Sequence, residues 1–459
     1  MYQTFTMKEK MKQIFVMLIP ILITQLGMFS MVFFNTVMTG RYNASELAGV
    51  AIGSSIWNPV FIGLSGILLA VSPIAAQRIG EKKDKEVAST LSHGIYLGLI
   101  IAIIVLIIGA IVLNPLLDFM NLEPRVQDTA HAYLVGLSLG IIPLFIFNVL
   151  RSFIYALGIT RVVMVILLSS LPFSLFLNYV LIYGYLGFPE MGGAGAGYAT
   201  SLTYWIICGI TFFIIKTKAP FSVYFSLTNF KKVVGKELSE ILKIGVPMGL
   251  SAFFETSMFA LVTILISKFS ITTIAAYQSA LNIASFMYMI PLSISMALTV
   301  LVGFEVGSKR NHDAKVYSWL GIGVSVIIAL VTGILVVLFR YQVASLYSND
   351  PAVIALTAAF LIYALFFQLA DAIQATALAA LRGYKDVNLA FVMTLIAYWL
   401  ICLPSGYALA HFTSLGATGY WIGLTFGLLA AGVALSARLI YIQKKKFPSG
   451  KAIKESLLS

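Results

Sequence analysis

Residues 387–437 read VNLAFVMTLIAYWLICLPSGYALAHFTSLGATGYWIGLTFGLLAAGVALSA and contain no Lys, Arg, Asp or Glu. About 20 apolar residues cross a bilayer as a helix. This stretch therefore predicts two membrane spans joined by a turn. Residues 13–40, 87–117 and 162–189 are free of charge in the same way. The fold class these runs predict is an all-α membrane protein.

The composition agrees. The chain has 459 residues, of which 60% are hydrophobic and 10% charged. A soluble domain carries about 25% charged residues, so this chain lacks the means to cover itself for water. The apolar run that begins at Ile14 is too long for a signal-peptide core and is read as a retained first span. Cys208 and Cys402 both fall inside apolar runs, which implies buried thiols and no disulfide framework. The four histidines are scattered and suggest no metal cluster.

Twelve spans are predicted near 14–38, 47–77, 88–113, 126–157, 161–184, 195–216, 240–267, 272–306, 316–339, 352–381, 387–410 and 416–441. Spans two and eight exceed the need, so each tilts or holds an interfacial turn. Sorted by loop, 25 of the 30 basic residues lie on one side and 4 on the other, with Arg151 inside a span. Basic loops mark the cytoplasmic side. Both termini are therefore expected in the cytoplasm of a multi-pass cell (inner or plasma) membrane protein. The net charge of +12 is then a matter of topology, and no nucleic-acid partner is needed.

The halves repeat at an offset of 227 residues: Pro20 and Pro247, Leu47-Ala48 and Ile274-Ala275, Gly80 and Gly307, Pro124 and Pro351. Further on, Ala156-Leu157-Gly158 resembles Ala380-Leu381-Arg382-Gly383, and the offset drifts. Each half has an even number of spans, so the repeats are parallel. Two six-helix lobes are expected, at 1–215 and 240–459, related by a pseudo-twofold along the membrane normal, with 216–239 a cytoplasmic linker. Parallel repeats of this kind build transporters, with a substrate cavity between halves and alternating access.

Two acids lie deep within spans, Glu255 and Asp371. Glu255 is 12 residues from Lys243 and 13 from Lys268, about 18 Å from either edge. A charged residue at the centre of a span costs about 2.5–3.5 kcal/mol to insert. Such acids are expected to face an internal cavity and to hold an ion, a proton or a cationic substrate. Around Asp371, Phe367, Gln368 and Gln374 fall on the same helix face, where a ring adds cation–π attraction. Ser251 and Met258 flank Glu255. Arg151 is the one deep base; a helix carbonyl, an amide such as Asn148, or snorkelling to the interface can each accommodate it, and no role is assigned to it. Gln25, Asn35, Asn178, Gln278 and Asn282 can hydrogen-bond across helices. The Gly193–Gly197 run lacks a preceding strand and is no dinucleotide fingerprint. No P-loop occurs, so energy is expected from an ion gradient or a partner subunit.

Several segments together resemble the multidrug and toxic compound extrusion (MATE) family, in its NorM-like branch. They are Asn35-Thr36-Val37-Met38-Thr39-Gly40, Gly53-Ser54-Ser55, Pro247-Met248-Gly249-Leu250 with Phe254-Glu255, and Tyr288-Met289-Ile290-Pro291. Asn349-Asp350-Pro351, and Asp371 with Ala380-Leu381-Arg382-Gly383-Tyr384, complete the set. The resemblance runs over nearly the whole chain. It implies a multidrug efflux antiporter that exports lipophilic organic cations in exchange for Na⁺ or H⁺. It further implies that Glu255 and Asp371 hold the coupling ion, Na⁺ in the sodium-driven case, with Phe367 beside them. Ser55, Gln278 and Asp350 match cavity positions of the family. Asn35, Tyr288, Gln368 and Gln374 are assigned to the same cavity. Where the family carries an acid at the end of span one, this chain has Asn35, which can coordinate Na⁺ but cannot carry a proton.

The expected partners are the lipid bilayer and small cationic drugs and dyes, the protein working as a monomer with no cofactor besides the coupling ion. A lipid-linked precursor flippase is the alternative; it would line its cavity with several Arg or Lys. A membrane enzyme would need a nucleophile–base pair or metal ligands at one depth, and the sequence offers none, so no enzymatic activity is expected.

Overall fold

The computed structural model describes residues 3–226 and 234–446. Every regular element among them is helical. The first half comprises α1 (Met7–Tyr42), α2 (Ala44–Leu68), α3 (Val71–Gly80), α4 (Asp84–Phe119), α5 (Pro124–Ser138), α6 (Ile141–Ala156), α7 (Thr160–Tyr183) and α8 (Gly192–Thr217). A short α9 (Phe221–Ser226) follows. The second half comprises α10 (Gly235–Ile266), α11 (Ile271–Gly307), α12 (Asn311–Leu338), α13 (Arg340–Ser345), α14 (Pro351–Gly383), α15 (Asn388–Ile396), α16 (Leu403–Phe412) and α17 (Thr418–Lys446). A π-helical turn, Ala397–Cys402, joins α15 to α16. It sits just before Pro404, which has no N–H to continue a regular ladder.

Among the described residues eleven segments are each long and apolar enough to cross a membrane, and the pair α5–α6, bent by 51°, makes a twelfth if it is one broken span. Span two is broken by a turn at Leu69–Ala70 between α2 and α3, whereas span eight is the unbroken α11.

The bend between α5 and α6 has a local cause. Pro143 offers no N–H to the carbonyl of Leu139, four residues back. The indole of Trp205 donates to that carbonyl instead, at 3.0 Å. Ser201 Oγ donates to the carbonyls of Gly136 and Leu137 at 2.6 and 3.0 Å. A Cβ on Gly140 would lie 2.7 Å from Ser201 Cα, so only glycine admits α8 this closely. Backbone groups freed inside the membrane are thus satisfied by a neighbouring helix, as lipid requires.

The duplication is visible in the backbone. Four span ends close with a left-handed residue: Lys82 (φ 58), Gly158 (φ 75), Lys309 (φ 59) and Lys385 (φ 59). Each makes the same pair of closing bonds, such as Lys82 N to Ile79 O with Lys83 N to Arg78 O, and Lys385 N to Arg382 O with Asp386 N to Leu381 O. This is the Schellman arrangement. Lys82 pairs with Lys309, and Gly158 with Lys385, both at an offset of 227. The apparent drift at Gly158 is therefore corrected: the backbone counterpart of Gly158 is Lys385, not the nearby Gly383. Glycine-matching by letter misleads there because a lysine occupies the left-handed position.

The chain forms two compact units. One is residues 19–249; the other joins residues 3–18 to 250–446. The divisions fall inside α1 and α10, while the 216–239 linker contains α9 and lies partly outside the described residues. Each unit thus holds the start of the other half's first helix, and charge fastens it. In the first unit Arg78, at the end of α3, forks to Glu237 and Glu240 of α10, at 2.7 Å each. It also reaches Thr90 Oγ1 and the carbonyl of Glu86. His93 accepts the Val234 N–H at 2.9 Å. In the second unit Lys10 of α1 pairs with Asp313 at 2.7 Å, and Arg310 bridges Asp313 and the buried Glu305. The Tyr317 hydroxyl bonds Thr4 and Gln13. Deeper in this unit an aromatic core surrounds Trp421, with the rings of Tyr277, Phe360 and Phe367 5.7, 6.3 and 5.7 Å away.

Candidate functional site

The two deep acids meet in the second unit. Glu255 lies midway along α10, which Trp399 pins by donating to the Phe254 carbonyl at 3.3 Å and packing edge-on against the Phe254 ring. Asp371 lies on α14 and is buried. The two carboxylates interact electrostatically. Tyr288 of α11 and Tyr398 of the π-helical turn each feel both acids. Residues of four elements are therefore electrostatically linked to the two acids.

Gln368 and Gln374 flank Asp371 on α14, and each is only 1% exposed. Neither amide makes a hydrogen bond through its oxygen or its nitrogen. The hydroxyl of Tyr398 is buried without a partner too. Buried polar groups are normally hydrogen-bonded. Several unpartnered ones near two carboxylates leave donors and acceptors that a polar ligand can use. Carboxylate, amide and phenol oxygens together suit a hard cation.

Phe367 is buried, and its ring meets Phe259 at 6.0 Å and Trp421 at 5.7 Å. Ser251 and Met258 are buried on the Glu255 helix, where Met258 Sδ accepts from Cys402 Sγ at 3.6 Å. Gln278 is exposed on α11. Asp350 is exposed as well, and its carboxylate caps α14 by accepting the Ala352 N–H at 2.8 Å. Electrostatic interaction thus links Glu255, Asp371 and Tyr288, and Gln368 and Gln374 lie on the Asp371 helix.

Asn35 and Ser55 belong to the first unit. The Asn35 amide donates to Asn178 Oδ1, the Ala196 carbonyl and Thr200 Oγ1 at 3.2–3.3 Å, tying α1 to α7 and α8. Ser55 is exposed and bonds back to the Ala51 carbonyl at 2.8 Å. Arg151 is buried and reaches Asn148, the amide the sequence suggested, at 2.8 Å.

Two participants escaped the sequence. Arg382, counted with the cytoplasmic charges, has a buried Nε without a partner and interacts electrostatically with Glu255. The signal was its spacing of eleven residues from Asp371, about three turns, which returns to the same helix face. It lies in the last turn of α14. Tyr398 had no signal, being one aromatic residue in a charge-free run.

A duplicated twelve-span helical protein with an acidic polar cluster buried in one unit has the architecture of secondary transporters. The MatE family model matches residues 20–180 and again 247–408, and the two matches begin at Pro20 and Pro247. The chain belongs to the MatE family, and its relatives place it among the NorM-like members. The probable multidrug resistance protein NorM of Oceanobacillus iheyensis is 52% identical over 448 residues, covering 97% of this chain and all of that protein. The protein of the same description from Bacillus subtilis is 51% identical, covering 97% of this chain and 98% of its own length. Among solved structures, a MATE transporter in the bent conformation matches with a TM-score of 0.87 at 20% identity, over 95% of this chain and 97% of that one. The eukaryotic MATE transporter AtDTX14 matches with a TM-score of 0.85 at 19% identity, over 95% and 98%.

Proposed function

We propose that this chain is a multidrug efflux antiporter that exports lipophilic organic cations in exchange for Na⁺ or H⁺ by alternating access. It works as a monomer with both termini in the cytoplasm. The observation that carries the coupling role is the buried cluster of Asp371, Gln368 and Gln374 beside Glu255, in which both amides lack partners. A bare carboxylate is costly to bury, and two neighbouring ones repel. A proton or Na⁺ relieves both effects, and Na⁺ in addition takes up the unpartnered amide oxygens. Drug and ion occupancy are mutually exclusive because each favours a different state of the protein. Asn35 supports helix packing in the first unit and plays no part in proton transfer.

The test is ethidium efflux from vesicles under imposed Na⁺ or H⁺ gradients, at matched expression. Glu255→Gln and Asp371→Asn should each abolish ion-driven efflux, and Asn35→Ala should reduce it less. Normal ion-driven efflux in the Glu255→Gln/Asp371→Asn double variant would remove the coupling role. Export confined to anionic compounds would remove the substrate class.

A further inference from the structure

The 227-residue register maps the acidic site onto the first unit. Pro20 and Pro247 fix the register of α1 against α10, and Gly158 and Lys385 fix that of α6 against α14. Glu255 then corresponds to Met28, and Asp371 to Leu144. Both acids are absent from the first unit, and a base stands beside their places. Arg151 lies two turns beyond Leu144 on α6, and its Nη1 contacts Met28 Sδ at 3.5 Å. Its Nη2 donates to Asn148 Oδ1 at 2.8 Å, and the Phe147 ring centroid is 5.9 Å away.

Arg151 is 6% exposed, and among the described residues no carboxylate pairs with it. Its Nε is buried without a partner, and so is the hydroxyl of Ser152, the next residue. A guanidinium keeps its charge in any protein setting. A buried charge needs a counter-charge. An amide oxygen, a thioether, a ring and the phenol of Tyr155, which also interacts with Arg151, supply partial charge only. The second unit answers its carboxylates with a mobile cation; the same logic applied to Arg151 calls for a mobile anion.

We propose that the first unit holds a small monovalent anion against the Arg151 guanidinium. A free halide such as chloride and the carboxylate of an organic compound share this chemistry. The site is independent of the cation coupling argued above, because it can be read as binding with no gradient and no drug.

The experiment uses the purified full-length protein in detergent, with chloride replaced by gluconate at constant ionic strength. A ligand that binds only the folded state raises the unfolding temperature with its concentration. Chloride and bromide should give a saturable rise in Tm in the wild type. Arg151→Leu should lose that dependence, and Arg151→Lys should raise the half-saturating concentration about tenfold, since a point charge replaces the fork. Met28→Glu supplies a fixed counter-charge to Arg151 and should also lose the dependence; it decides the matter if Arg151→Leu does not fold. A rise with benzoate or acetate but not with halides, lost in the same variants, assigns the anion to an organic acid. No response to any of these anions, or an undiminished response in Arg151→Leu and Met28→Glu, overturns the proposal.

Discussion

Replacing Arg78 by leucine should release the start of α10. The Arg78 side chain is 8% exposed and forks to Glu237 and Glu240, which are 21% and 36% exposed, at 2.7 Å each. Breaking a fully buried pair costs about 3–5 kcal/mol. Here the stranded acids can regain water, so the expected loss is lower, about 2–3 kcal/mol for two charge-assisted bonds. At about 1.4 kcal/mol per decade, this corresponds to about a 30- to 150-fold rise in the population of the locally open state. The assay is amide hydrogen exchange on the purified protein, following a peptide over residues 235–248 and using one from α14 as internal reference. Locally opened segments exchange in proportion to their opening equilibrium. Arg78→Lys keeps the charge but loses the fork, and should raise exchange only about fivefold, about 1 kcal/mol. Unchanged exchange over 235–248 in Arg78→Leu, with α14 still protected, would refute the view that this pair fastens the helix.

Two further expectations test the fold and its orientation. Trp421 is fully buried among Tyr277, Phe360 and Phe367, so Trp421→Ala should cost about 3–5 kcal/mol, read as a fall in the denaturant midpoint in detergent; an unchanged midpoint would contradict the packing. Both native cysteines are buried while Ser226 is exposed at the end of α9, so Ser226→Cys should label with an impermeant thiol reagent only from the cytoplasmic side, and labelling from outside would invert the proposed topology.

Much of this fold was legible because lipid imposes a simple rule. A span must be long and uncharged, and such runs stand out in the sequence. The break between α5 and α6 was hidden for an equally plain reason. Pro143 is visible in the sequence, but whether a freed Leu139 carbonyl can be tolerated depends on Trp205 and Ser201, more than sixty residues away. The site divides in the same way. Glu255 and Asp371 stood out because a deep acid is expensive, whereas Tyr398 is unremarkable until a turn of π-helix brings it to the cluster. Arg382 closes α14 where the sequence put a basic span end, and only the fold shows its link to Glu255.

The two halves kept their backbone and changed their charges. Left-handed closures persist at Lys82 and Lys309 and at Gly158 and Lys385, because a Schellman turn depends on main-chain bonds and tolerates many side chains. The fastenings beside them are inverted. Lys10 corresponds to Glu237, and Arg78 to Glu305, at the same offset. The start of α1 therefore carries a positive charge to an acidic dock, and the start of α10 carries negative charges to a basic one. Were either start to settle on the other dock, Lys10 would face Arg78, or Glu237 would face Glu305, and like charges with little access to water repel strongly. A duplicated chain must keep each of two homologous helices from occupying its twin's place, and discrimination of that kind needs a repulsive element as well as an attractive one. The inversion supplies both with one pair of substitutions. The same divergence, acting deeper, placed Met28 where the other half has Glu255, and left the two deep acids in one half alone.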